Sequence, residues 1–211
     1  MENCVFCNWK KDEKEILYET PNFFVAVGIG IAAPGHVMLI TKEHYICYAD
    51  MPAKMREEFK AAKELVYSKV KGEFSTPFMV EYGILEQSVR HAHLHFIPKE
   101  RKETKFFKGY KINDLFKEMG IPADLARHEA TWEKARELKN KYGGYIFLKD
   151  GAAKLFAEFP DGFSSKNLSY RRFFNGKLKL SDIPATWKEM SEVDVRVDQI
   201  KKEITLARIK F

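Results

Sequence analysis

The sequence has few cysteines and no long hydrophobic run. Three cysteines among 211 residues are an odd and small number, so a disulfide framework is not expected. No stretch approaches the ~20 apolar residues of a membrane span, and the N-terminus lacks the apolar segment of a secretory signal. No internal repeat or low-complexity tract occurs. These absences argue against membrane and secreted proteins, and they favour a soluble protein of the reducing cytoplasm.

The sequence does contain enough apolar material for a core, and its charge is uneven. Hydrophobic residues make up 45% and aromatic residues 14%, which argues against a disordered chain. The net charge is +6, but residues 1–100 sum to −2 and residues 101–211 to +8. The basic second half either meets an anionic partner, with nucleic acid as one candidate, or is a solvated lysine-rich surface.

The first hundred residues alternate between β-prone runs and one helical stretch. Apolar runs bounded by turn residues predict strands over residues 16–18, 23–27, 36–41, 78–82 and 91–97. Residues 52–71 contain no glycine and repeat apolar side chains every three or four positions, which predicts an amphipathic helix with Pro52 in its first turn. The fold class is therefore α+β, an antiparallel sheet with a helix packed on one side.

The second half predicts a mixed α/β extension behind a charged connector. The connector covers residues 99–105, and helices are predicted over residues 125–141, 164–174 and 193–209. Asp150-Gly151 indicates a hairpin between strands at residues 145–148 and 154–157. We therefore divide the chain into a domain over residues 1–104 and a basic C-terminal extension over residues 105–211.

One segment of the extension combines basic and aromatic residues. Residues 170–179 interleave arginine and lysine with tyrosine and phenylalanine. Such a segment can hold a phosphate tail or stack on bases, and it can equally be a solvated helix with a packed aromatic pair.

Three histidines stand at alternate positions, His91, His93 and His95. Side chains at i, i+2 and i+4 of a strand point the same way, so the three imidazoles form one row while the alternating apolar residues face a core. A row of imidazoles can bind a metal, or it can carry out nucleophilic and acid–base chemistry near neutral pH.

The segment over residues 91–97 resembles the signature of the histidine triad (HIT) family, in which three histidines alternate with apolar residues. Residues 34–44 are similar to the strand upstream of that signature, and residues 87–89 to its lead-in. Residues 81–83, Glu-Tyr-Gly, resemble the Glu-His-Gly of the bacterial and archaeal branch. The resemblance covers about the first 98 residues and implies a HIT-like antiparallel sheet with a packed helix.

The resemblance also implies a two-step hydrolysis at a nucleotide-type phosphate. His93 would attack the α-phosphorus of a nucleoside phosphoester, anhydride or phosphoramidate, and water or another acceptor would then resolve a covalent nucleotidyl-histidine. Gln87 and Ser88 would donate hydrogen bonds to phosphate oxygens, where charge builds in the transition state. His95 would protonate the leaving group, and His36 would orient or polarise the triad.

The N-terminal Cys-x-x-Cys is a candidate metal site. The spacing of Cys4 and Cys7 lets two thiolates hold one metal, although two buried cysteines would also explain it. The resemblance implies a structural zinc bound by these two residues, His44 and His91. Such a closed site would fix the N-terminus to the catalytic strand without performing chemistry. Cys47 has no place in this ligand set and is expected to be a packing residue.

Gly28 stands where the resemblance implies an acidic residue that holds the ribose hydroxyls. No carboxylate is therefore present at this position to hold a ribose. The leading candidate substrates that the resemblance implies are dinucleoside polyphosphates and nucleoside phosphoramidates. Nucleotidyl transfer to a sugar phosphate is disfavoured, because relatives that catalyse it replace the histidine at His95 with glutamine. Two further hypotheses remain. The protein could deadenylate nucleic-acid ends, with the extension binding the nucleic acid, or it could be a non-catalytic nucleotide-binding protein. Many relatives are homodimers through sheet edges, and the extension would either cover such an edge or reinforce a dimer.

Overall fold

The described part of the chain folds around one antiparallel sheet of eight strands. The computed structural model describes residues 4–8, 15–28, 30–85, 87–98, 124–158 and 192–211. The strands are β1 Ile16–Glu19, β2 Phe23–Ala26, β3 Val37–Thr41, β4 Pro77–Glu81, β5 His93–Pro98, β6 His128–Glu129, β7 Ile146–Asp150 and β8 Ala152–Phe156. They pair in the order β1-β2-β3-β5-β4-β7-β8-β6. The predicted α+β class is confirmed.

The helices of the described residues are α1 Arg56–Glu73, α2 Trp132–Tyr142 and α3 Glu192–Arg208. α1 places Ala62, Val66 and Val70 against the sheet, because a four-residue spacing keeps side chains on one face of a helix. The predicted helix over residues 52–71 is thus confirmed, but Pro52 precedes a short 3-10 turn and α1 itself begins at Arg56. None of the described helices is long and apolar enough to cross a membrane.

The sheet separates two apolar clusters. The cluster on the α1 side contains Leu39 and Leu94, and the one on the other side contains Met38 and Ile40. His95 pairs with Met38 in the register of β3 and β5, and His93 pairs with Ile40. Because paired residues share a face and successive residues of a strand point to opposite faces, both histidines lie on the side opposite α1.

The extension continues the same sheet. β7 pairs along β4, so this edge of the sheet is covered by the chain's own extension. β7 and β8 form the predicted hairpin, which turns at Gly151 with a φ of 80°. The domain boundary predicted at residue 104 lies outside the described residues and stays a prediction.

Two predicted elements start later than the sequence indicated. The helix predicted over residues 125–141 begins at Trp132, because the Thr131 side chain caps it and accepts a hydrogen bond from the backbone N–H of Lys134. Residues 128–129 instead form β6. β5 begins at His93, so His91 precedes the strand. The connector over residues 99–105 and the helix over residues 164–174 lie outside the described residues.

Candidate active site and metal centre

β5 and the residue before β3 bring three histidines together. The ring centroids of His93 and His95 are 4.9 Å apart. His36 stands just before β3, and its Nε2 lies 2.9 Å from Nδ1 of His95. All three side chains are buried, between 3% and 6% exposed. The structure therefore joins three of the predicted site residues into one contiguous group.

The hydrogen bonds of His36 determine which ring nitrogens carry protons. The backbone N–H of Ala32 donates to His36 Nδ1 at 2.9 Å, so the proton of a neutral His36 lies on Nε2. That N–H donates to His95 Nδ1, which in turn leaves the proton of a neutral His95 on its own Nε2. His36 thereby orients the His95 ring and leaves the proton of the neutral ring on Nε2.

His93 is held as the opposite tautomer. Its Nδ1 lies 2.6 Å from the backbone carbonyl oxygen of His91, and a carbonyl can only accept, so Nδ1 carries the proton. The lone pair is therefore on Nε2. Burial lowers the pKa of His93 to about 4, which keeps the ring neutral near neutral pH. A neutral imidazole with its lone pair on Nε2 has the electronic state that a nucleophile requires.

The four predicted metal ligands form one cluster at the N-terminus. The donor atoms of Cys4, Cys7, His44 and His91 all lie within 4.8 Å of one another. Cys7 Sγ lies 3.1 Å from His44 Nδ1 and 3.5 Å from His91 Nδ1, and Cys4 Sγ lies 3.4 Å from His91 Nδ1. In tetrahedral zinc sites, metal–ligand distances of about 2.0–2.3 Å place neighbouring donor atoms about 3.5 Å apart. The donor set and its spacing fit such a site.

Thr41 turns the His91 ring toward this cluster. Nε2 of His91 donates to the backbone oxygen of Thr41 at 2.7 Å and lies 2.9 Å from the Thr41 hydroxyl. The proton on Nε2 leaves the lone pair on Nδ1, the atom that faces the thiols. A carbonyl partner of this kind commonly fixes the tautomer of a metal-bound histidine. Thr41 is a site residue that the sequence did not single out.

Phe6 connects the cysteine cluster to the row of histidines on β5. It lies between the two cysteines in sequence, and its ring centroid is 5.7 Å from that of His91 and 5.1 Å from that of His93. Phe6 is buried against the sheet together with Met38 and Ile40. It is not among the site residues predicted from the sequence, although a single aromatic residue inside a Cys-x-x-Cys segment is a usable signal.

The predicted phosphate-binding residues are placed differently from the histidines. Gln87 is half-buried, and its Nε2 donates to the backbone oxygen of Ile46 at 2.8 Å. Ser88 is exposed. A role of Gln87 and Ser88 in phosphate binding stays a prediction.

Gly28 has a close neighbour on the triad side of the sheet. A Cβ atom at position 28 would lie 2.4 Å from Cε of Met38. The space that an acidic side chain would enter is therefore taken by the methyl group of Met38, whose partner in the sheet register is His95. The basic-aromatic segment over residues 170–179 lies outside the described residues.

Residues 10–102 match the family model of the HIT domain. The chain contains a HIT domain. The matched range includes His36, His44 and the three triad histidines, and it agrees with the extent of the resemblance found in the sequence. Cys4 and Cys7 precede the matched range. No curated protein sequence is significantly similar to the chain.

Solved structures of HIT proteins are similar to about half of the chain. A HIT family hydrolase from Clostridium thermocellum is 26% identical, with 50% of this chain and 97% of that chain covered and a TM-score of 0.40. A zinc-bound histidine triad family protein from Mycobacterium smegmatis is 21% identical, with coverages of 52% and 83% and a TM-score of 0.42. A hypothetical histidine triad nucleotide-binding protein from Sulfolobus tokodaii is 23% identical, with coverages of 51% and 77% and a TM-score of 0.43.

Proposed function

We propose that the protein is a hydrolase that cleaves nucleotide-type substrates at the α-phosphate, with His93 as the nucleophile. The observation that carries the proposal is the hydrogen bond from His93 Nδ1 to the His91 carbonyl oxygen at 2.6 Å. It leaves the Nε2 lone pair available on a buried, neutral ring. The same bond stabilises the positive charge that grows on the ring when Nε2 forms a bond to phosphorus.

The proposed reaction proceeds in two displacements. In the first, a bond forms between His93 Nε2 and the α-phosphorus, the bond from phosphorus to the leaving oxygen or nitrogen breaks, and His95 Nε2–H gives that atom a proton. In the second, His95 takes a proton from water, the water oxygen bonds to phosphorus, and the P–N bond breaks. His93 is then neutral again. Splitting one difficult displacement into two lowers each barrier.

We further propose that zinc is structural in this protein. Zinc would be held by Cys4, Cys7, His44 and His91, and these four ligands complete a tetrahedral shell without a position for substrate. The role of the metal would be to hold the N-terminal segment, including Phe6, against His93. The chemistry would rest on the histidines alone.

The proposed substrates carry a nucleoside α-phosphate, but no acidic side chain at position 28 would bind their ribose hydroxyls. Gly28 provides no carboxylate, and Met38 makes the neighbouring surface apolar. Dinucleoside polyphosphates and nucleoside phosphoramidates both satisfy this description. An adenylated nucleic-acid end satisfies it as well, and is included in the test.

The experiment compares these substrates with purified full-length protein. Dinucleoside tri- and tetraphosphates, a nucleoside phosphoramidate and an adenylated DNA end are incubated separately, and released mononucleotide is measured by chromatography. His93→Ala is the test variant. His128→Ala is the matched control, because His128 pairs with Glu158 at 3.0 Å on β6, outside the candidate active site.

The proposal expects cleavage by the wild type and by the His128 variant, with a loss of at least about 10³-fold in the His93 variant. Substrate labelled at the α-phosphate should leave label on wild-type protein after rapid quenching and none on the His93 variant. Turnover that persists in the His93 variant would refute the nucleophile. Nucleotide binding without cleavage of any substrate would instead support a non-catalytic nucleotide-binding protein.

A further inference from the structure

α3 has its polar and apolar sides reversed. A helix that packs on a globular protein usually buries its apolar stripe and exposes its polar side. Among the described side chains of α3, the buried ones are polar, and they are Asp198, Lys201, Lys202 and Thr205. Large apolar side chains are exposed instead, with Val195 at 54%, Ile200 at 57% and Ile204 at 39% exposure. The helix therefore presents an apolar surface to the outside of the described fold.

The polar side of α3 is held in place by ion pairs and hydrogen bonds. Lys202 Nζ lies 3.0 Å from a carboxylate oxygen of Glu15. Lys201 Nζ donates to the backbone oxygen of Ile31 at 3.4 Å. A rotation of α3 that turned Ile200 inward would break these contacts and remove the partners of buried charges, which is strongly unfavourable. The apolar side therefore needs a partner from outside this packing.

The apolar side of α3 has the spacing of a helix that pairs lengthwise with another helix. Ile200 and Ile204 lie about one turn apart on the same face. In the sequence, apolar residues stand at positions 193, 197, 200, 204 and 207, so the steps between them alternate between four and three. This alternation is the heptad spacing of coiled-coil seams. A second helix therefore has the shape that fits this surface.

Two opposite charges flank the apolar stripe. Arg196 and Glu203 are both exposed, and they lie seven positions apart, which is close to two full turns. Both charges are therefore on the same side of the stripe, and the midpoint between them falls between Gln199 and Ile200. Nε2 of Gln199 donates to Oε1 of Glu203 at 3.1 Å, and a carboxylate can accept further bonds at its second oxygen.

A two-fold axis through this midpoint makes the surface complementary to itself. When two copies of α3 lie antiparallel, Arg196 of each copy is opposite Glu203 of the other, so the charge pair occurs twice. Ile200 of both copies then lies near the axis. The interface of a two-fold dimer requires this kind of self-complementarity. A second copy of this chain is therefore the partner that the charge pattern favours.

We propose that two copies of this chain associate through the outer side of α3, with the two helices antiparallel. Ile200 and Ile204 form the apolar centre of the interface, and two Arg196–Glu203 pairs form its polar rim. The edge of β4, where a second sheet would otherwise pair, is occupied by β7 of the same chain. The proposal does not depend on the chemistry proposed for His93.

Exchange of the two rim charges tests the proposal. Full-length wild-type protein, Arg196→Glu, Glu203→Arg and the double variant with both substitutions are compared by sedimentation equilibrium over a range of protein concentrations. Each single variant places like charges opposite each other in the antiparallel pair, and the double variant restores opposite charges. The single variants change the net charge in opposite directions, so a weakening shared by both cannot arise from net charge. The double variant keeps the wild-type net charge of +6.

Two further variants define the position of the surface. Ile200→Asp places a charge in the apolar centre. Arg136→Glu is the matched control, because it reverses an exposed arginine on α2, outside the proposed interface. Circular dichroism verifies that each variant keeps the helix content of the wild type. All of the substituted side chains are exposed, so the variants report on association and not on core packing.

We expect the wild type to show a monomer–dimer equilibrium. Each single rim variant should raise the dissociation constant of the dimer about tenfold, whereas the double variant should return it to within about threefold of wild type. Ile200→Asp should raise it about 100-fold or more, and Arg136→Glu should leave it unchanged. In an equimolar mixture, Arg196→Glu and Glu203→Arg should form a heterodimer tighter than either homodimer, because opposite charges then meet at both ends of the interface.

Three outcomes would overturn the proposal. Wild-type protein that stays monomeric at every concentration would show that α3 does not bind a second copy. A dimer whose dissociation constant is unchanged by Ile200→Asp would place the interface elsewhere. A double variant that associates as weakly as the two single variants would exclude the antiparallel pairing of Arg196 with Glu203.

Discussion

Asp198 Oδ1 accepts a hydrogen bond from the backbone N–H of Ile31 at 2.7 Å, across 167 positions of sequence. Its other carboxylate oxygen accepts one from the N–H of Gly30 at 2.9 Å. Asp198 belongs to α3 at the end of the extension and is buried. Backbone hydrogen bonds to a carboxylate are among the stronger ones in proteins, so α3 holds this loop firmly.

A second contact from α3 holds the other end of the loop. The backbone N–H of Gly35 donates to the Thr205 hydroxyl at 2.8 Å. Between the two contacts lies Ala32, whose N–H donates to His36 Nδ1. The extension therefore fixes the backbone N–H of Ala32, which orients His36. His36 in turn orients His95. This relationship gives the C-terminal helix a role at the candidate active site that the chain order does not indicate.

We predict that Asp198→Asn lowers kcat for the proposed hydrolysis about tenfold with a smaller change in KM. The amide replaces one acceptor by an N–H group that meets the N–H of Gly30 or Ile31, so the loop shifts and His36 loses its orientation. A buried unpaired donor should also lower the free energy of unfolding by about 1–3 kcal/mol. Steady-state kinetics and thermal unfolding measure the two effects.

Gln199→Ala is the matched control for this prediction, because Gln199 is the next residue of α3 and is exposed. It should leave both kcat and stability nearly unchanged. A variant at Asp198 that is destabilised but retains the wild-type kcat would limit this residue to a structural role.

Metal content provides the next prediction. Cys7→Ser should reduce bound zinc from one ion per chain to near zero, because the serine hydroxyl is a poor ligand for zinc compared with a thiolate. Turnover should fall as well, since the N-terminal segment loses its anchor on His44 and His91. Elemental analysis of protein purified without chelator gives the stoichiometry.

Cys47→Ser is the matched control, because Cys47 is buried away from the cluster and its replacement should not change zinc content. Zinc-free wild-type protein with full activity would contradict the prediction.

The HIT domain was predictable because its signals are local. Short apolar runs between turn residues located β1 to β4, and the alternation of histidines with apolar residues located the strand of the triad. The Asp150-Gly151 pair identified the hairpin of β7 and β8 in the same way, since the tight turn between Asp150 and Ala152 needs the positive φ of 80° that Gly151 adopts. Each of these features depends on residues that are neighbours in sequence.

The remaining features depend on contacts between distant parts of the chain. Asp198 is one of several acidic residues in an amphipathic helix, and no local pattern distinguishes it from a solvated one. Likewise, β6 was missed because two residues gain a strand conformation only by pairing with β8. The contact between Phe59 and Trp132 needs α1 and α2 side by side, and their sequences say nothing about that packing. Tertiary contacts thus determined what local propensity could not.

Phe6→Ala is predicted to lower kcat while zinc stays bound. Removal of the ring empties the space beside His93, whose centroid lies 5.1 Å from that of Phe6, and lets the His93 ring leave the orientation that the proposed reaction requires. A decrease of about tenfold in kcat is expected, together with a loss of roughly 3–5 kcal/mol of stability from the truncated buried ring. Val5→Ala is the matched control within the same segment, since Val5 is 42% exposed. Loss of zinc in the Phe6 variant would instead mean that the ring supports the metal site.

Glu81 makes the stability of the protein depend on pH. Burial raises the pKa of this carboxyl from 4.5 to about 7, and the charge of Asp50 adds to the effect, while hydrogen bonds from Tyr48 and Tyr145 oppose it. Below pH 4.5 the group is protonated in both the folded and the unfolded chain. Between pH 4.5 and about 7 the unfolded chain loses its proton first, so stability falls as the pH rises through this window.

Glu81→Gln should remove this dependence, because glutamine still accepts a hydrogen bond and never ionises. We expect the free energy of unfolding in urea to fall between about pH 5 and about pH 8 in the wild type but not in the variant. The difference between variant and wild type should therefore be about 2–3 kcal/mol larger at about pH 8 than at about pH 5. The comparison at the lower pH is the internal control, since Glu81 is protonated in the folded wild type there. Parallel stability curves across the whole range would mean that the buried carboxyl is already ionised at the lower pH. The Tyr48 and Tyr145 hydrogen bonds would then outweigh the cost of its burial.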